Sequence, residues 1–181
     1  MKKKAVVLLS GGLDSTTCCA IAASRGTEIH ALTIDYNQRN VWEINAAKEV
    51  AKKYGVVEHV ILPINLREFG GSALTDDSIK LEQNESYEEI GKKIPASYVP
   101  GRNTIFLALA LSYAETRGAS EIWTGVNALD YSGYPDCRPE YIDAFAKMAR
   151  LATKSGVSGE NISIETPLIF LTKSDIIKRG V

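Results

Sequence analysis

Residues 5–24 read AVVLLSGGLDSTTCCAIAAS, and this stretch decides the fold class. Its first five residues are continuously apolar, which is typical of a strand buried on both faces of a parallel sheet. Gly11 and Gly12 then form a turn, and small and apolar residues suited to a tightly packed helix run from residue 14 to residue 24, before Gly26. The stretch therefore predicts a strand, a glycine turn and a helix.

The rest of the chain repeats this alternation. Strands are predicted over residues 28–34, 57–64, 121–126 and 162–165, and helices over residues 41–54, 103–118, 140–154 and 172–178. Residues 65–100 and 127–139 lack such periodicity and are predicted to be long loops. Strands that alternate with helices predict a doubly wound α/β fold, because right-handed crossovers place helices on both faces of a parallel sheet.

Composition and charge narrow the class of protein. The 181 residues are 45% hydrophobic and 24% charged, which is typical of one compact globular domain and excludes intrinsic disorder. With 21 Lys and Arg against 22 Asp and Glu, the formal charge of -1 supplies no field that would gather a polyanion. We therefore expect no nucleic-acid partner.

The cysteines and the N-terminus bear on localisation. Cys18, Cys19 and Cys137 form neither an even disulfide framework nor a CxxC pair, so we interpret them as reduced, structural thiols of a cytoplasmic protein. The basic residues 2–4 precede too few apolar residues for a signal peptide, and no stretch approaches the roughly 20 apolar residues of a membrane helix. No membrane partner is expected.

The glycine turn is the strongest candidate site. Its backbone N–H groups can converge on an anion at the positive end of the helix, and Ser10 and Ser15 add hydroxyl donors. No lysine follows the turn, which is compatible with holding pyrophosphate as a leaving group rather than with transferring a γ-phosphoryl group. Because Asp14 would repel bare phosphate, Mg²⁺ is the natural companion of its carboxylate. The alternative is a tight turn without a ligand.

Several motifs carry a resemblance to a known family. SGGLDS (residues 10–15) resembles the signature of the PP-loop ATP pyrophosphatase superfamily, whose members adenylate a carbonyl-type oxygen and release pyrophosphate. DYNQRN (35–40), GGSALTDDSI (70–79), YVPGRN (98–103) and above all GVNALDYSGYPDCRPEY (125–141) resemble the 7-cyano-7-deazaguanine synthase family of queuosine biosynthesis. The resemblance runs along essentially the whole chain and implies a Rossmann-like sheet of the adenine nucleotide alpha hydrolase type.

The resemblance implies a ligase that forms carbon–nitrogen bonds. In this family 7-carboxy-7-deazaguanine is adenylated, ammonia displaces AMP to give the amide, and a second activation lets the amide eliminate to the nitrile. Activation is needed because the leaving group of a free carboxylate would be oxide or hydroxide. The resemblance also implies ATP, Mg²⁺ and Zn²⁺ as cofactors and a homodimer as the assembly.

The resemblance further implies roles for individual residues. The catalytic residues would be Ser10, Asp14, Ser15, Arg102 and Lys173. The nucleotide would be held by Leu9, Ser10, Gly11, Gly12, Leu13, Asp14, Ser15, Thr16, Thr33, Ile34, Arg39 and Gly125. Two alternatives remain: Arg102 can face solvent beside an N-cap at Asn103, and Lys173 can lie on a helix surface.

The segment 127–138 is equipped to hold a guanine-like base. Asp130 and Asp136 can accept hydrogen bonds from its ring N–H and exocyclic amine, while Arg138 can pair with the carboxylate. The substrate-binding residues would be Tyr131, Ser132, Gly133, Tyr134, Pro135, Asp136 and Arg138, with a tyrosine stacked on the base. A polar surface turn in which the aspartates act as caps is the alternative.

The three cysteines give no tetrahedral set of zinc ligands, although the family normally continues into a four-cysteine zinc segment. We therefore expect residues 1–181 to form a single PP-loop domain that lacks this C-terminal segment. Two other functions remain open. A PP-loop enzyme of tRNA thiolation is disfavoured by the neutral charge and the absence of a cysteine pair, and a fragment that binds ATP without turnover is the third possibility.

Overall fold

The structure is a computed structural model that describes residues 2–36, 42–80, 94–129 and 134–180. These residues form one parallel sheet in the order β3-β2-β1-β4-β5. The strands are β1 (Lys4–Leu8), β2 (Glu28–Asp35), β3 (Glu58–Pro63), β4 (Glu121–Trp123) and β5 (Ser163–Glu165). The predicted doubly wound α/β fold is confirmed, and the strand order reverses between β1 and β4.

Helices lie on both faces of this sheet. They are α1 (Leu13–Ser24), α2 (Trp42–Lys53), α3 (Arg102–Arg117), α4 (Pro139–Ala152), α5 (Lys154–Val157) and α6 (Lys173–Gly180), with short 3-10 turns at Leu66–Glu68 and Pro135–Cys137. In the portions of the chain that the structure describes, no helix is both long and apolar enough to cross a membrane.

Two predicted boundaries, the end of a strand and the end of a helix, were wrong. The strand predicted over residues 121–126 ends at Trp123. The Thr124 N–H still bonds to the Glu165 carbonyl, but Gly125 packs on the first turn of α1 and the Ala128 N–H bonds to the Ile169 carbonyl. The helix predicted over residues 140–154 ends at Ala152, because the Thr153 side chain accepts a hydrogen bond from the Gly156 N–H and so caps α5 as a new helix.

Alternation along β1 divides the core between the two faces of the sheet. Val6 packs with Leu32 and Ile122 in the cluster beneath α3 and α4. Ala5 and Val7 point the other way and pack with Cys19 and Ala47 beneath α1 and α2. Both faces of β1 are buried, as its unbroken apolar run predicts.

An ion pair closes the amino end of the sheet. Arg117, in the last turn of α3, donates from Nε to Glu58 Oε2 at 2.6 Å and from Nη2 to Glu58 Oε1 at 2.8 Å. The Arg117 hydrogen bonds are the largest cause that lowers the pKa of Glu58 from 4.5 to about 2. The pair therefore favours the folded state wherever the carboxylate is ionised.

Glu58→Gln is expected to change how stability depends on pH. Because the folded pKa of Glu58 is depressed, its contribution is present above its unfolded pKa and is lost as pH falls through about 2. Urea unfolding at a series of pH values should show a lower free energy of unfolding for the variant near neutrality, and the two curves should approach each other towards about pH 2. Exposed Glu160→Gln is the control; equal curves for Glu58→Gln and wild type would contradict the pairing.

Candidate active site

The candidate active site is a cleft at the carboxyl end of the sheet, where the strand order reverses. It has two adjoining parts, a small cavity of about 190 Å³ against α3 and a large cavity of about 600 Å³ against α2 and α6. The two parts share the lining residues Ser10, Asp14, Ser15, Ile34, Arg102 and Tyr134. The shared lining makes the cleft continuous.

The glycine turn forms the floor between the two cavities. Gly11 has a φ of +83°, and a Cβ atom there would lie 2.6 Å from both Ala47 N and Glu43 O of α2. The turn is therefore pressed directly onto α2, and Gly11 itself faces that helix rather than the cleft. Gly12 is the N-cap residue of α1, so the first N–H groups of this helix point into the cleft.

Two serine hydroxyls organise the turn. Ser15 Oγ accepts from the Ser10 N–H at 3.1 Å and lies 3.0 Å from Ser10 Oγ, which accepts from the Gly12 N–H at 3.3 Å. Ser15 Oγ also donates to the Gly12 carbonyl at 3.0 Å. The hydroxyls therefore lie at the positive end of α1, where they can turn towards an anion.

The structure brings Lys173 to this turn from the far end of the sequence. Lys173 Nζ donates to Asp14 Oδ1 at 2.9 Å and to Asp14 Oδ2 at 3.1 Å. Lys173 lines the large cavity with its side chain half exposed, whereas Asp14 is only 15% exposed. A cation therefore lies beside a turn whose own sequence contains none.

The start of α6 is held in a fixed geometry. The Asp175 N–H donates to Thr172 Oγ1 at 3.2 Å, and the Thr172 N–H donates to Asp175 Oδ2 at 3.3 Å. This reciprocal arrangement is a capping box, which satisfies backbone donors at a helix N-terminus. Lys173 is the first residue of α6, so the capping box fixes its backbone.

Arg102 stands between the two cavities. Its guanidinium lies 5.8 Å from the centre of the Tyr36 ring and 5.9 Å from that of Phe106, and Nη1 donates to the Tyr36 hydroxyl at 3.4 Å. Burial lowers its pKa, but the Tyr36 hydroxyl and the Asp136 carboxylate raise it above its ordinary value. Arg102 therefore carries a permanent positive charge inside the cleft.

Asp136 is 4% exposed and supports the N-terminus of α3. Its Oδ2 accepts from the Asn103 N–H at 2.9 Å, while Asn103 Nδ2 donates to the Asp136 carbonyl at 3.3 Å and to Cys137 Sγ at 3.1 Å. The suggestion of an N-cap at Asn103 was wrong, because Gly101 occupies that position with a φ of 64°. In the described part of the chain, Asp136 Oδ1 has no hydrogen-bond partner.

Tyr134 lines both cavities. Its hydroxyl lies 2.8 Å from Ser97 Oγ, and its ring packs against Tyr98 with centroids 5.6 Å apart. Arg138 is exposed and donates from Nε to the Pro135 carbonyl at 3.3 Å, and neither residue lines the two cavities. Five of the predicted site residues lie outside the described residues: Arg39, Asp130, Tyr131, Ser132 and Gly133.

Most of the suggested nucleotide-binding residues line the cleft. They are Leu9, Ser10, Gly12, Leu13, Asp14, Ser15, Thr33, Ile34 and Gly125. The buried Thr33 hydroxyl donates to the Leu9 carbonyl and lies 2.7 Å from His59 Nε2, so it already has partners. The Thr16 N–H is bonded to the Gly12 carbonyl, and Thr16 lies within α1 rather than in the cleft lining.

Sequence reasoning did not assign several residues that line the cleft, among them Tyr36, Phe106, Leu74 and Cys137. Tyr36 follows β2 directly and Phe106 lies one helical turn after Arg102, so their positions offered a signal. Leu74 and Cys137 lie within the motifs GGSALTDDSI and GVNALDYSGYPDCRPEY, but Leu74 was given no role and Cys137 was interpreted as structural. Burial raises the pKa of the Cys137 thiol to about 12 and that of Cys19 to about 11, which is unsuitable for a thiolate nucleophile.

No group of three or more His, Cys, Asp and Glu side chains in the described ranges is placed to hold a metal ion. Cys18 and Cys19 are buried in α1, whereas Cys137 lies beside α3. These thiols do not fit a zinc site, which requires four converging ligands.

Comparison with known proteins identifies the family. The chain matches the family model described as queuosine biosynthesis protein QueC over residues 4–181. The chain belongs to the QueC family. Its relatives include 7-cyano-7-deazaguanine synthases from Rhodopirellula baltica, 56% identical over 98% of this chain and 72% of that protein, and from Desulfatibacillum aliphaticivorans, 57% identical over 99% of this chain and 77% of that protein. The family resemblance predicted from the motifs is confirmed.

Solved structures show the same fold as this QueC-family chain. A predicted subunit of tRNA methyltransferase from Methanocaldococcus jannaschii has a TM-score of 0.59 at 18% identity, over 98% of this chain and 74% of that one. A 4-thiouridine synthetase in complex with RNA and ATP has a TM-score of 0.56 at 20% identity, over 98% of this chain and 40% of that one. The likeness confirms the Rossmann-like α/β architecture.

Proposed function

We propose that this QueC-family chain converts 7-carboxy-7-deazaguanine and ammonia to 7-cyano-7-deazaguanine at the expense of two ATP. One arrangement carries the proposal: a glycine turn at the N-terminus of α1 faces Lys173 and Arg102, beside a cavity of suitable size for a flat ring. The relatives at 56% and 57% identity carry the name of this activity over nearly the whole chain.

The large cavity suits the triphosphate of ATP. The N-terminal N–H groups of α1 and the hydroxyls of Ser10 and Ser15 can donate hydrogen bonds to phosphate oxygens. The Lys173 ammonium can stabilise the negative charge of the leaving pyrophosphate. The small cavity is lined largely by apolar residues of β1, β2 and α3, which suits a heteroaromatic ring.

Each activation has the same balance of atoms. The substrate oxygen attacks the α-phosphorus, the bond to the bridging oxygen breaks, and pyrophosphate leaves. Ammonia then displaces AMP from the acyl adenylate and yields the amide after losing a proton. In the second round the amide oxygen is adenylated in the same way, and the O-adenylated amide loses AMP and both N–H protons to become the nitrile. The permanent charge of Arg102 is positioned to stabilise negative charge that develops between the two cavities.

Asp14 fits Mg²⁺ that is shared with phosphates. Mg²⁺ commonly takes one or two carboxylates together with phosphate oxygens, so a single aspartate beside the turn is sufficient. Bound there, the ion would neutralise phosphate charge and would replace the Lys173 ammonium at the Asp14 carboxylate. The described residues do not fit Zn²⁺, and no step is assigned to it.

Asp136→Ala and Asp136→Asn are expected to separate two roles of this aspartate. Asparagine can still accept from the Asn103 N–H, so the Asn variant should keep the melting temperature near that of wild type, whereas the Ala variant should lower it. Asp136 is not among the described residues that line the two cavities, and we propose that its buried Oδ1 accepts a hydrogen bond from the purine; both variants should then raise KM for the deazaguanine by about 10-fold or more. KM for ATP is the internal control. If the Asn variant restores substrate KM as well, Asp136 is only a helix cap.

Mass spectrometry tests the activity directly. The chain is incubated with Mg²⁺, ATP, ammonium and 7-carboxy-7-deazaguanine, and AMP, amide and nitrile are followed over time. We expect nitrile to form together with two molecules of AMP for each molecule of nitrile, and we expect a chelator of Mg²⁺ to abolish the reaction. ATP binding without substrate-dependent AMP would support a binding fragment instead and would overturn the proposal.

The thiolation alternative is less well supported. Cys18, Cys19 and Cys137 are all buried, and burial raises the pKa of each thiol, so none of the three is a ready nucleophile. The net charge of -1 also gives no reason to propose a nucleic-acid partner. Incubation with tRNA and a sulfur donor, with no gain of mass in the RNA, is the matching control.

We also propose a cytoplasmic homodimer. Met148, Leu151 and Val157 are 41%, 83% and 78% exposed on α4 and α5, which supports a subunit contact on this surface. Sedimentation of wild type and Leu151→Lys tests the assembly: a shift from dimer to monomer in the variant is expected, and a wild-type monomer would contradict it. That residues 1–181 form one PP-loop domain remains a prediction.

A further inference from the structure

Asn127 is a fully buried polar side chain whose two ends are both hydrogen-bonded. Its Nδ2 donates to the Leu168 carbonyl at 3.0 Å and to the Leu171 carbonyl at 2.5 Å, and its Oδ1 accepts from the Leu129 N–H at 2.8 Å. The Leu168 carbonyl also accepts from the Leu171 N–H at 3.0 Å. Loss of the Asn127 amide therefore removes its hydrogen bonds to the Leu171 carbonyl and the Leu129 N–H and one of the two bonds to the Leu168 carbonyl, which is costly in a buried site.

These bonds connect the segment after β4 to the turn that leads into α6. The backbone adds a further link, from the Ala128 N–H to the Ile169 carbonyl at 2.9 Å. Leu168 is buried with Cys18 of α1 and Ile176 of α6, so the turn is also anchored to α1. Leu171 lies two residues before Lys173, so the bonds of Asn127 fix the chain immediately ahead of that lysine.

The same segment also contacts the other member of the ion pair. A Cβ atom on Gly125 would lie 2.9 Å from the carbonyl carbon of Asp14 and 3.0 Å from Ser15 N, so the backbone here packs on the first turn of α1. Residues 125–127 thus contact the first turn of α1 at one end and, at the other, the turn that precedes Lys173. Both sides of the Asp14–Lys173 pair take their positions from one short stretch of backbone.

We propose that Asn127 is a positioning residue that, through its hydrogen bonds to Leu168 and Leu171, sets the Lys173 ammonium against the glycine turn. This role rests on the proposed function, in which Lys173 acts on the phosphates of ATP. Asn127 itself is absent from the lining of both cavities, so it acts through Lys173 rather than on the substrate.

Asn127→Asp tests this role with little change in shape. The carboxylate places an acceptor opposite two carbonyl oxygens that now receive N–H bonds, so the turn before α6 must move away. A misplacement of about 1 Å in a charged group can cost about 10²-fold in rate. We therefore expect kcat to fall by about 10- to 100-fold with a smaller change in KM for the deazaguanine.

A double-mutant cycle separates positioning from general damage. Wild type, Asn127→Asp, Lys173→Ala and the double variant are compared in kcat and in Mg²⁺·ATP affinity by calorimetry. If Asn127 acts through Lys173, its substitution should lower both quantities only when Lys173 is present, and the double variant should match Lys173→Ala. The proposal would be overturned if Asn127→Asp lowered kcat and Mg²⁺·ATP affinity by the same factor with and without Lys173, or if it had no effect.

Thr153→Val is the matched control for loss of a buried polar partner. Thr153 is 5% exposed, donates to the Ala149 carbonyl at 2.8 Å and caps α5 away from the cleft. It should lower the melting temperature without changing kcat. If Asn127→Asp does not fold, Asn127→Ser, which keeps one hydroxyl donor, replaces it in the cycle.

The calorimetric readout keeps the two proposals distinct. If wild type binds Mg²⁺·ATP but forms no nitrile, the proposed function fails, while the cycle in ATP affinity still tests Asn127. If wild type forms nitrile and the effects of Asn127→Asp and Lys173→Ala are additive, the proposed function is supported and the positioning role of Asn127 is refuted.

Discussion

Lys173→Ala is expected to reduce kcat for nitrile formation by about 10²- to 10³-fold, the range found when one pre-positioned donor to a developing charge is removed. The reason is geometric: Lys173 is the cation that bonds to Asp14 beside the glycine turn, at 2.9 Å and 3.1 Å. Because α6 is capped by Thr172 and Asp175, the alanine variant should keep the helix. Steady-state kinetics with varied ATP measures the effect.

Lys178→Ala is the matched control for this prediction. Lys178 is an exposed lysine in the last turn of the same helix. Its substitution by alanine therefore removes the same charge from α6 without changing the cleft. Its kcat should equal that of wild type. A wild-type kcat in Lys173→Ala would show that the lysine is a helix-surface residue after all, and a loss shared by both variants would point to net charge instead.

Gly11→Ala is expected to destabilise the protein by about 2–4 kcal/mol, through backbone strain together with overpacking. The φ of +83° is unfavourable for alanine, and its Cβ would meet Ala47 N and Glu43 O at 2.6 Å. These neighbours are backbone atoms of α2 and cannot rotate away. The turn must therefore move, which should also weaken Mg²⁺·ATP binding. Urea unfolding and calorimetry measure the two effects.

Gly26→Ala separates the two causes. Gly26 has a similar φ of +72°, but a Cβ atom there would meet nothing within 4 Å. Its alanine variant should lose only about 1–2 kcal/mol of stability, from the strain of the left-handed conformation, and should bind ATP normally. If Gly11→Ala were no worse than Gly26→Ala, the tight packing of the turn on α2 would be refuted.

The order of strands and helices could be predicted because each element has a local signal. β1 is an unbroken apolar run and both of its faces are buried, and Gly118 ends α3 in the left-handed conformation that favours glycine. The errors fell at ends such as Trp123 and Ala152. There the chain is directed by contacts with distant segments, such as those of residues 124–127, or by a side-chain cap such as Thr153.

The candidate site was only partly predictable. The SGGLDS turn is local, so its residues could be assigned before the fold was known. Asp136 was predicted to face the purine, whereas one of its oxygens caps α3, and that role depends on where α3 packs. Tyr36 and Phe106 flank Arg102 only because β2 and α3 meet at the cleft.

By itself the sequence determined the α/β class, the glycine turn and, through its motifs, membership of the QueC family. Periodicity and turn chemistry act over a few residues, so they can be read without a structure. Only the tertiary structure decided the pairing of Lys173 with Asp14 and the bonds of Asn127 to the turn before α6. These contacts join residues more than 40 positions apart, and they form because β1, β4 and β5 end at one edge of the sheet.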